Sequence, residues 1–221
     1  SPLFAQAKRL INQLEDVLQG VYLVKELSPR TTDVVMSFGE LLSTTIVAAY
    51  LNERGLAAEQ SDARQMLLTD DEFGNANVHR FRSYENIRRY FNSKDKLQVV
   101  TGFIAATEKN ETTTLGRGGS DYTAALLGAA LHADLIEIWT DVDGMMTADP
   151  RLVKKAFSLP SVSYVEAMEL SHFGAKVIYP PTLQPAFTNK IPLRVRNTFN
   201  PGFEGTLITD QPEEKHFPIR G

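Results

Sequence analysis

This sequence predicts an α/β fold built on a mostly parallel sheet, and three observations lead there. Short apolar runs rich in β-branched residues, at Leu97–Ile104, Leu135–Trp139 and Ile191–Val195, are separated by stretches with helical periodicity. A glycine-rich turn, LGRGGSD (Leu115 to Asp121), opens directly into an almost wholly apolar helix. A second strand-to-loop transition, IEIWTDVDGMMTADPR, follows it. In such folds ligands gather where the carboxyl ends of strands meet helix N-termini.

The elements follow in order. Leu3, Ala7, Leu10, Ile11, Leu14, Val17 and Leu18 recur at three- and four-residue intervals and predict an amphipathic helix. Ser28-Pro29 is an N-cap followed by proline at the first helical position, and the helix it opens runs to about Arg54, stopping at Gly55. A short strand near Ala57–Gln60 and a helix around Ser83–Phe91 precede the Leu97–Ile104 strand. Tyr122–His132 reads as a helix, then the Leu135–Trp139 strand. Tyr164–Phe173 is helical with Gly174 as its C-cap, Pro181–Asn189 is a short helix, and Ile191–Val195 is the last strand.

Composition narrows the function. Acidic residues number 27 against 23 basic ones, a net charge of -4, so there is no electrostatic footprint for nucleic acid or an anionic membrane, and small molecules are the expected ligands. The absence of cysteine removes disulfides, thiolate catalysis and Cys-ligated zinc together. No apolar run is expected to reach the roughly 20 residues of a membrane span. Ser1-Pro2-Leu3 is unlike a secretory signal, so a cytoplasmic location is the expectation. A start without Met suggests a processed or trimmed chain.

A glycine-rich turn at a helix start leaves backbone N–H groups pointing outward with the positive end of the helix dipole behind them, which suits an anion. Arg117 adds a planar fork for a carboxylate or phosphate. Asp121, in the first helical turn, would repel a phosphate unless a cation stands between them; its alternative role is capping the helix. The strand, G-x-G turn, helix and later Asp141 resemble a dinucleotide fingerprint, but Asp121 occupies the third glycine position and Thr112–Thr114 is a poor buried strand. DVDG begins like a calcium loop whose sixth and twelfth positions are Met146 and Leu152, which excludes calcium.

On the long helix, Asp33, Ser37, Glu40 and Thr44 form a polar stripe that reads either as a solvated face or as a binding surface. Gly39 within it suggests close approach to the backbone, which would make Glu40 a carboxylate for an amine. Lys176, just past Gly174, is either a surface lysine or an ammonium at an element boundary.

The segments SFGELLS, VVTGFIA, LGRGGSDYTAALLGAALHAD, IEIWTDVDGMMTADPR, SYVEAMELSHFGAKVIYPPTLQPA and IPLRVRNTFNPGFEGTLI together resemble the aspartokinases, most nearly the kinase portion of bifunctional aspartokinase/homoserine dehydrogenases. The resemblance covers nearly the whole chain. It implies the amino-acid-kinase fold, a three-layer αβα sandwich around an open, mostly parallel sheet, in one catalytic domain with an acceptor-binding part at about residues 1–130 and a nucleotide-binding part at about residues 131–210. It implies transfer of the ATP γ-phosphate, with Mg2+ carried on the phosphates, to the side-chain carboxylate of L-aspartate, the entry to lysine, threonine and methionine biosynthesis, in a homodimer. Carried over by position, Arg117 with the backbone of Gly118, Gly119 and Ser120 would hold the aspartate carboxylate, Glu40 its amine, and Phe103 the pocket wall. Asp121 would orient lysine ammonium groups, Thr140, Asp141, Met146 and Arg151 would hold the nucleotide, and Lys176 would sit on its phosphates. The family's opening strand, with its K-F-G-G motif, and its C-terminal regulatory region find no match, so these 221 residues are expected to turn over little by themselves. Other amino-acid kinases, acting on glutamate or acetylglutamate, and a non-catalytic binding module remain the alternatives.

Overall fold

The computed structural model describes residues 2–148, 152–173 and 178–212. The chain divides into two compact units, one ending at Thr123 and the other beginning at Ala124.

The first unit opens with two long helices, α1 (Pro2–Val24) and α2 (Pro29–Glu53). Ser28 caps α2, its Oγ accepting the Thr31 N–H at 3.2 Å, and Pro29 takes the first turn, where a missing N–H costs nothing. By length and mean hydropathy, 1.6, α2 could cross a membrane, contrary to the expectation that no run was apolar enough. It is a core helix instead. It packs on α1, on a parallel pair formed by β1 (Ala58–Ser61) and β3 (Leu97–Val100), and on β4 (Ile104–Thr107) and β5 (Thr112–Thr114). Phe38, Leu41 and Ile104 form the centre of that packing, covered by Leu10, Leu14, Val17, Val34 and Phe103.

The remaining strand, β2 (Leu68–Thr69), runs parallel to β4, and α3 (Arg80–Phe91) lies between β2 and β3 in sequence. β5 pairs antiparallel with β4, with Ile104 opposite Thr114. Helix α4 (Gly119–Leu131) follows, three residues earlier in onset than its periodicity predicts.

Two expectations are corrected here, and one open alternative is decided. The Leu97–Ile104 strand is two strands, because Phe103 sits at φ +67° and the Ile104 N–H closes a tight turn onto the Gly102 carbonyl at 2.7 Å. Thr112–Thr114 is a buried strand after all, each residue 9 % exposed or less. Its hydroxyls are all satisfied: Thr112 accepts from Arg64 Nη1 at 3.0 Å, Thr113 meets the Thr69 hydroxyl at 2.8 Å, and Thr114 donates to Asp33 at 2.8 Å. The polar stripe of α2 does not face water. Asp33, Ser37 and Thr44 are buried and Glu40 is half-buried.

The second unit is built on a four-stranded sheet of order β6-β8-β9-β7, formed by β6 (Ile136–Thr140), β7 (Ser161–Ser163), β8 (Leu193–Asn197) and β9 (Thr206–Thr209). β6 and β8 are parallel, as are β7 and β9, while β8 and β9 are antiparallel. Helices α5 (Tyr164–Phe173) and α6 (Pro180–Thr188) pack together, and Tyr164, 2 % exposed, donates its hydroxyl to the Ile191 carbonyl just ahead of β8. Gly174, expected as the cap of α5, lies outside the described residues. Among the six strand pairings of the described residues, the four parallel ones connect strands with helix between them or across the sheet edge, as the alternating pattern requires.

Beyond its own helix, no group of the chain lies within 4 Å of the place a Cβ would take on Gly39, so no packing contact within the protein requires that glycine. Gly39→Ala is therefore expected to stabilise the protein by about 0.5 to 1 kcal/mol through helix propensity alone, read as a higher urea midpoint with an unchanged m-value.

Candidate active site

The site of the first unit grows from the junction of β4, β5 and α4. Gly116 and Gly118 both take φ +69°, a conformation that side chains with a Cβ resist, and this folds the chain between β5 and α4 into a tight turn. The Gly119 N–H closes it onto the Gly116 carbonyl at 3.1 Å, and the Tyr122 N–H starts the helix on the Gly118 carbonyl at 2.9 Å. Among the described residues no acceptor takes the N–H groups of Arg117, Gly118, Ser120 or Asp121. Four unsatisfied donors at one helix entrance form an anion cradle of the kind the sequence suggests. Gly119 is the exception, because its N–H is spent inside the turn.

The turn is pressed against the β4 entrance. A Cβ on Gly119 would lie 2.8 Å from Phe103 Cδ2, and one on Gly102 would lie 2.9 Å from Ser120 Cβ. The Phe103 N–H donates to Thr123 Oγ1 at 3.1 Å, and its carbonyl accepts the Leu115 N–H at 2.9 Å. The positive φ of Phe103 thus persists because backbone bonds on both sides hold it, the usual condition for a strained residue at a functional site. Its ring lines a cleft of about 580 Å³ together with Thr32, Asp33, Met36, Gly116 and Arg117.

Arg117 is exposed on this cleft and has no ion-pair partner among the described residues. Glu40, three turns along α2 from its start, accepts the Gly102 N–H, and burial pushes its carboxyl above the usual glutamate value despite that bond. Glu40 is therefore bonded to Gly102, and Ser120 packs against it. Burial also raises the Asp121 carboxyl, and Asp121 makes no hydrogen bond or ion pair with a described residue. It does not cap the helix. Arg117, Phe103, Gly118, Ser120 and Glu40 are thus brought together around Gly102, with Asp121 on the first turn of α4.

Sequence reasoning missed Asp33 as part of this arrangement. It is fully buried and lines the same cleft, and it accepts from the Gly74 N–H at 2.9 Å, the Thr114 N–H at 3.0 Å and the Thr114 hydroxyl. The available signal was its place at the head of the polar stripe of α2, one turn into the helix.

In the second unit, Thr140 ends β6 and its hydroxyl donates to Asp141 Oδ1 at 3.2 Å. The loop beyond is fastened at Asp143, whose Oδ1 accepts from Asn197 at 2.9 Å and Asn200 at 3.1 Å, and at Gly144, where φ +95° and the Thr206 backbone nitrogen 2.8 Å from a would-be Cβ exclude other residues. Met145 is buried, its N–H donating to Thr206 Oγ1, while Met146 is half-buried and bridges to Ser158. Thr140, Asp141 and Met146 therefore stand on one anchored loop. Arg151 and Lys176 lie outside the described residues.

An α/β fold with a glycine-turn anion cradle on a helix start defines a small-anion or phosphate-handling protein. Residues 5–197 match the model of the Amino acid kinase family, and the chain belongs to that family. It is 42% identical over 204 residues to aspartokinase 1, chloroplastic, of Arabidopsis thaliana, covering 90% of this chain and 36% of that protein. It is 39% identical over 205 residues to the bifunctional aspartokinase/homoserine dehydrogenase of Buchnera aphidicola, covering 92% of this chain and 25% of that protein. The crystal structure of Escherichia coli aspartokinase III in complex with aspartate and ADP shares its fold with a TM-score of 0.86 at 40% identity, over 94% of this chain and 46% of that one. The chain thus spans less than half the length of each of these relatives.

Two outcomes test the site's physics. Gly119→Ala forces a methyl into Phe103 and is expected to cost about 1 to 3 kcal/mol, seen as a lowered thermal midpoint. Glu40 and Asp121 both have raised carboxyls, so the folded state holds protons that the unfolded state releases, and stability falls as pH rises from the ordinary carboxylate range through the folded values. Glu40→Gln and Asp121→Asn should accordingly melt higher than the parent at pH 7, with the difference vanishing near pH 3.

Proposed function

We propose that this chain is the catalytic domain of an aspartate kinase, transferring the γ-phosphoryl group of ATP to the side-chain carboxylate of L-aspartate. The observation that carries the reading is Arg117. It is an exposed guanidinium without a partner among the described residues, beside unsatisfied N–H groups, in a cleft walled by Phe103 and with Glu40 fixed through Gly102. Support for aspartate itself comes from the relatives, which are named aspartokinases.

In this reading Arg117 and the free N–H groups of Gly118 and Ser120 grip a carboxylate, and Glu40 meets the amine. A charge-assisted bond of this kind contributes about 1.5 to 3 kcal/mol. The amine's positive charge offsets the desolvation that burial imposes on Glu40, so the site is complementary to an amino acid rather than to a simple anion. Asp121, half-buried and unpaired among the described residues, is suited to hold a lysine ammonium in place for the transferring phosphoryl group. Thr140, Asp141, Met146 and Arg151 hold the nucleotide, Lys176 neutralises its phosphates, and Mg2+ carried on those phosphates would add further charge neutralisation. Phosphoryl transfer asks the protein chiefly for alignment and charge neutralisation, and these residue types supply both. The acceptor-binding part corresponds to about residues 1–130 and the nucleotide-binding part to about residues 131–210. The functional assembly is a homodimer.

The test is a coupled ADP-release assay on the full-length protein with L-aspartate, L-glutamate, N-acetyl-L-glutamate and a nucleoside monophosphate as acceptors. Turnover with aspartate is expected to dominate, and Arg117→Ala should raise the aspartate KM roughly 10- to 100-fold, the loss of one such charge-assisted contact. Phosphorylation of another acceptor with none of aspartate would overturn the proposal.

A further inference from the structure

We propose that Asp33 is a positioning residue of the acceptor site: a covered carboxylate on α2 that sets the place of the glycine turn, and so of Arg117, by fastening two separate segments to one point. This deepens the aspartate-kinase reading and rests on it.

Asp33 itself is 0 % exposed, so it acts through what it holds rather than by touching a ligand. Oδ2 accepts two backbone N–H groups, Gly74 at 2.9 Å and Thr114 at 3.0 Å, and Oδ1 accepts the Thr114 hydroxyl at 2.8 Å. Thr114 is the last residue of β5, and the turn that carries Arg117 begins two residues later. Gly74 belongs to the loop between β2 and α3, and that loop backs the same turn. The Ala76 N–H donates to the Thr114 carbonyl at 2.9 Å, and Asn75 Oδ1 lies so close to Gly116 that a Cβ there would stand 2.3 Å from it. The loop is braced from its other side by Asp70, which accepts from the Asn77 N–H at 2.9 Å and from Asn77 Nδ2 at 2.7 Å. The turn is therefore held between β4 on one side and this loop on the other, and Asp33 bonds at once to the loop, at Gly74, and to the last residue of the turn's approach strand, Thr114. Two of its three bonds are to backbone, so they constrain main-chain position directly. A carboxylate meets this demand because one oxygen can accept two N–H groups while the other takes a hydroxyl.

Removing the carboxylate leaves the buried Thr114 N–H without an acceptor and takes away the bond that fastens Gly74, freeing the loop from the turn. Displacements of about 1 Å at a positioning element change rates by as much as about 10²-fold, so the effect should fall on the acceptor. Asp33→Asn is the conservative variant: its amide oxygen can accept both N–H groups, and its NH2 can donate to the Thr114 hydroxyl, which turns to accept.

The experiment measures kcat, the KM for aspartate, the KM for ATP and the thermal midpoint on the full-length protein with Asp33→Ala, Asp33→Asn and Thr114→Val. The expected result is a tenfold or greater rise in the aspartate KM for Asp33→Ala, an ATP KM within twofold of the parent, recovery to within threefold in Asp33→Asn, and a smaller rise for Thr114→Val. Should Asp33→Ala fail to fold, Thr114→Val carries the test, with an aspartate KM at least threefold above the parent expected. A lowered thermal midpoint with an unchanged aspartate KM, an equal rise in both KM values, or an aspartate KM unmoved in Thr114→Val would each overturn the proposal. If the parent phosphorylates a different amino acid, the aspartate-kinase reading has failed, and the same variants measured against that acceptor still decide the role of Asp33.

Discussion

The cleft of the first unit depends on a close contact between two stretches of chain, the glycine turn with the start of α4 and the β4 entrance Gly102–Phe103. Neither Gly102 nor Gly119 has room for a methyl group, since Ser120 and Phe103 stand under 3 Å from where one would sit. That proximity lets one short region serve three purposes. The Gly102 N–H reaches Glu40, Phe103 walls the cleft, and the N–H groups at the start of α4 meet no acceptor among the described residues. The strain at Phe103 is confined to one residue and is held by bonds to Thr123 and Leu115.

Around this contact the first unit places polar groups inside with unusual freedom. A strand of three threonines, a buried aspartate and a buried stripe on α2 would each be costly in isolation, and each is offset by a specific partner. Glu40 and Asp121 differ from these. Both are partly buried with less compensation than a stability-driven arrangement would provide, and both lie where a cationic group of a ligand or a lysine would complete the balance. Perturbed carboxyls of this sort concentrate at functional sites because binding needs charge that is not already neutralised. Asp33, saturated by three internal donors, belongs to the scaffold, whereas Glu40 and Asp121 keep carboxyls raised by burial.

The second unit solves a simpler problem. Its sheet delivers Thr140 and Asp141 at the end of β6, and the loop that follows is pinned by side chains of β8 and β9 and by two glycines, Gly144 and Gly205, each with no space for a side chain. A rigid loop at a strand's carboxyl end is the placement open α/β sheets use for ligands.

Helix positions were largely legible from periodicity and, for α2, from its Ser28-Pro29 cap, and the glycine turn was legible because few uses other than an anion cradle need three glycines at a helix start. Short strands such as β2, β7 and β9 were not, since two to four residues are too few to show a period. By itself the sequence determined the alternation of elements and the residue types at the cradle, properties that depend on local backbone preference. Tertiary structure alone decided which way the polar face of α2 points, that Thr112–Thr114 is buried, that Phe103 splits a strand, and that Asp33 joins two segments. Except at Phe103, these turn on partners about 40 to 80 residues away in sequence, such as Asp33 with Gly74 and Thr114, and a burial cost is visible only once its compensating donor is in place.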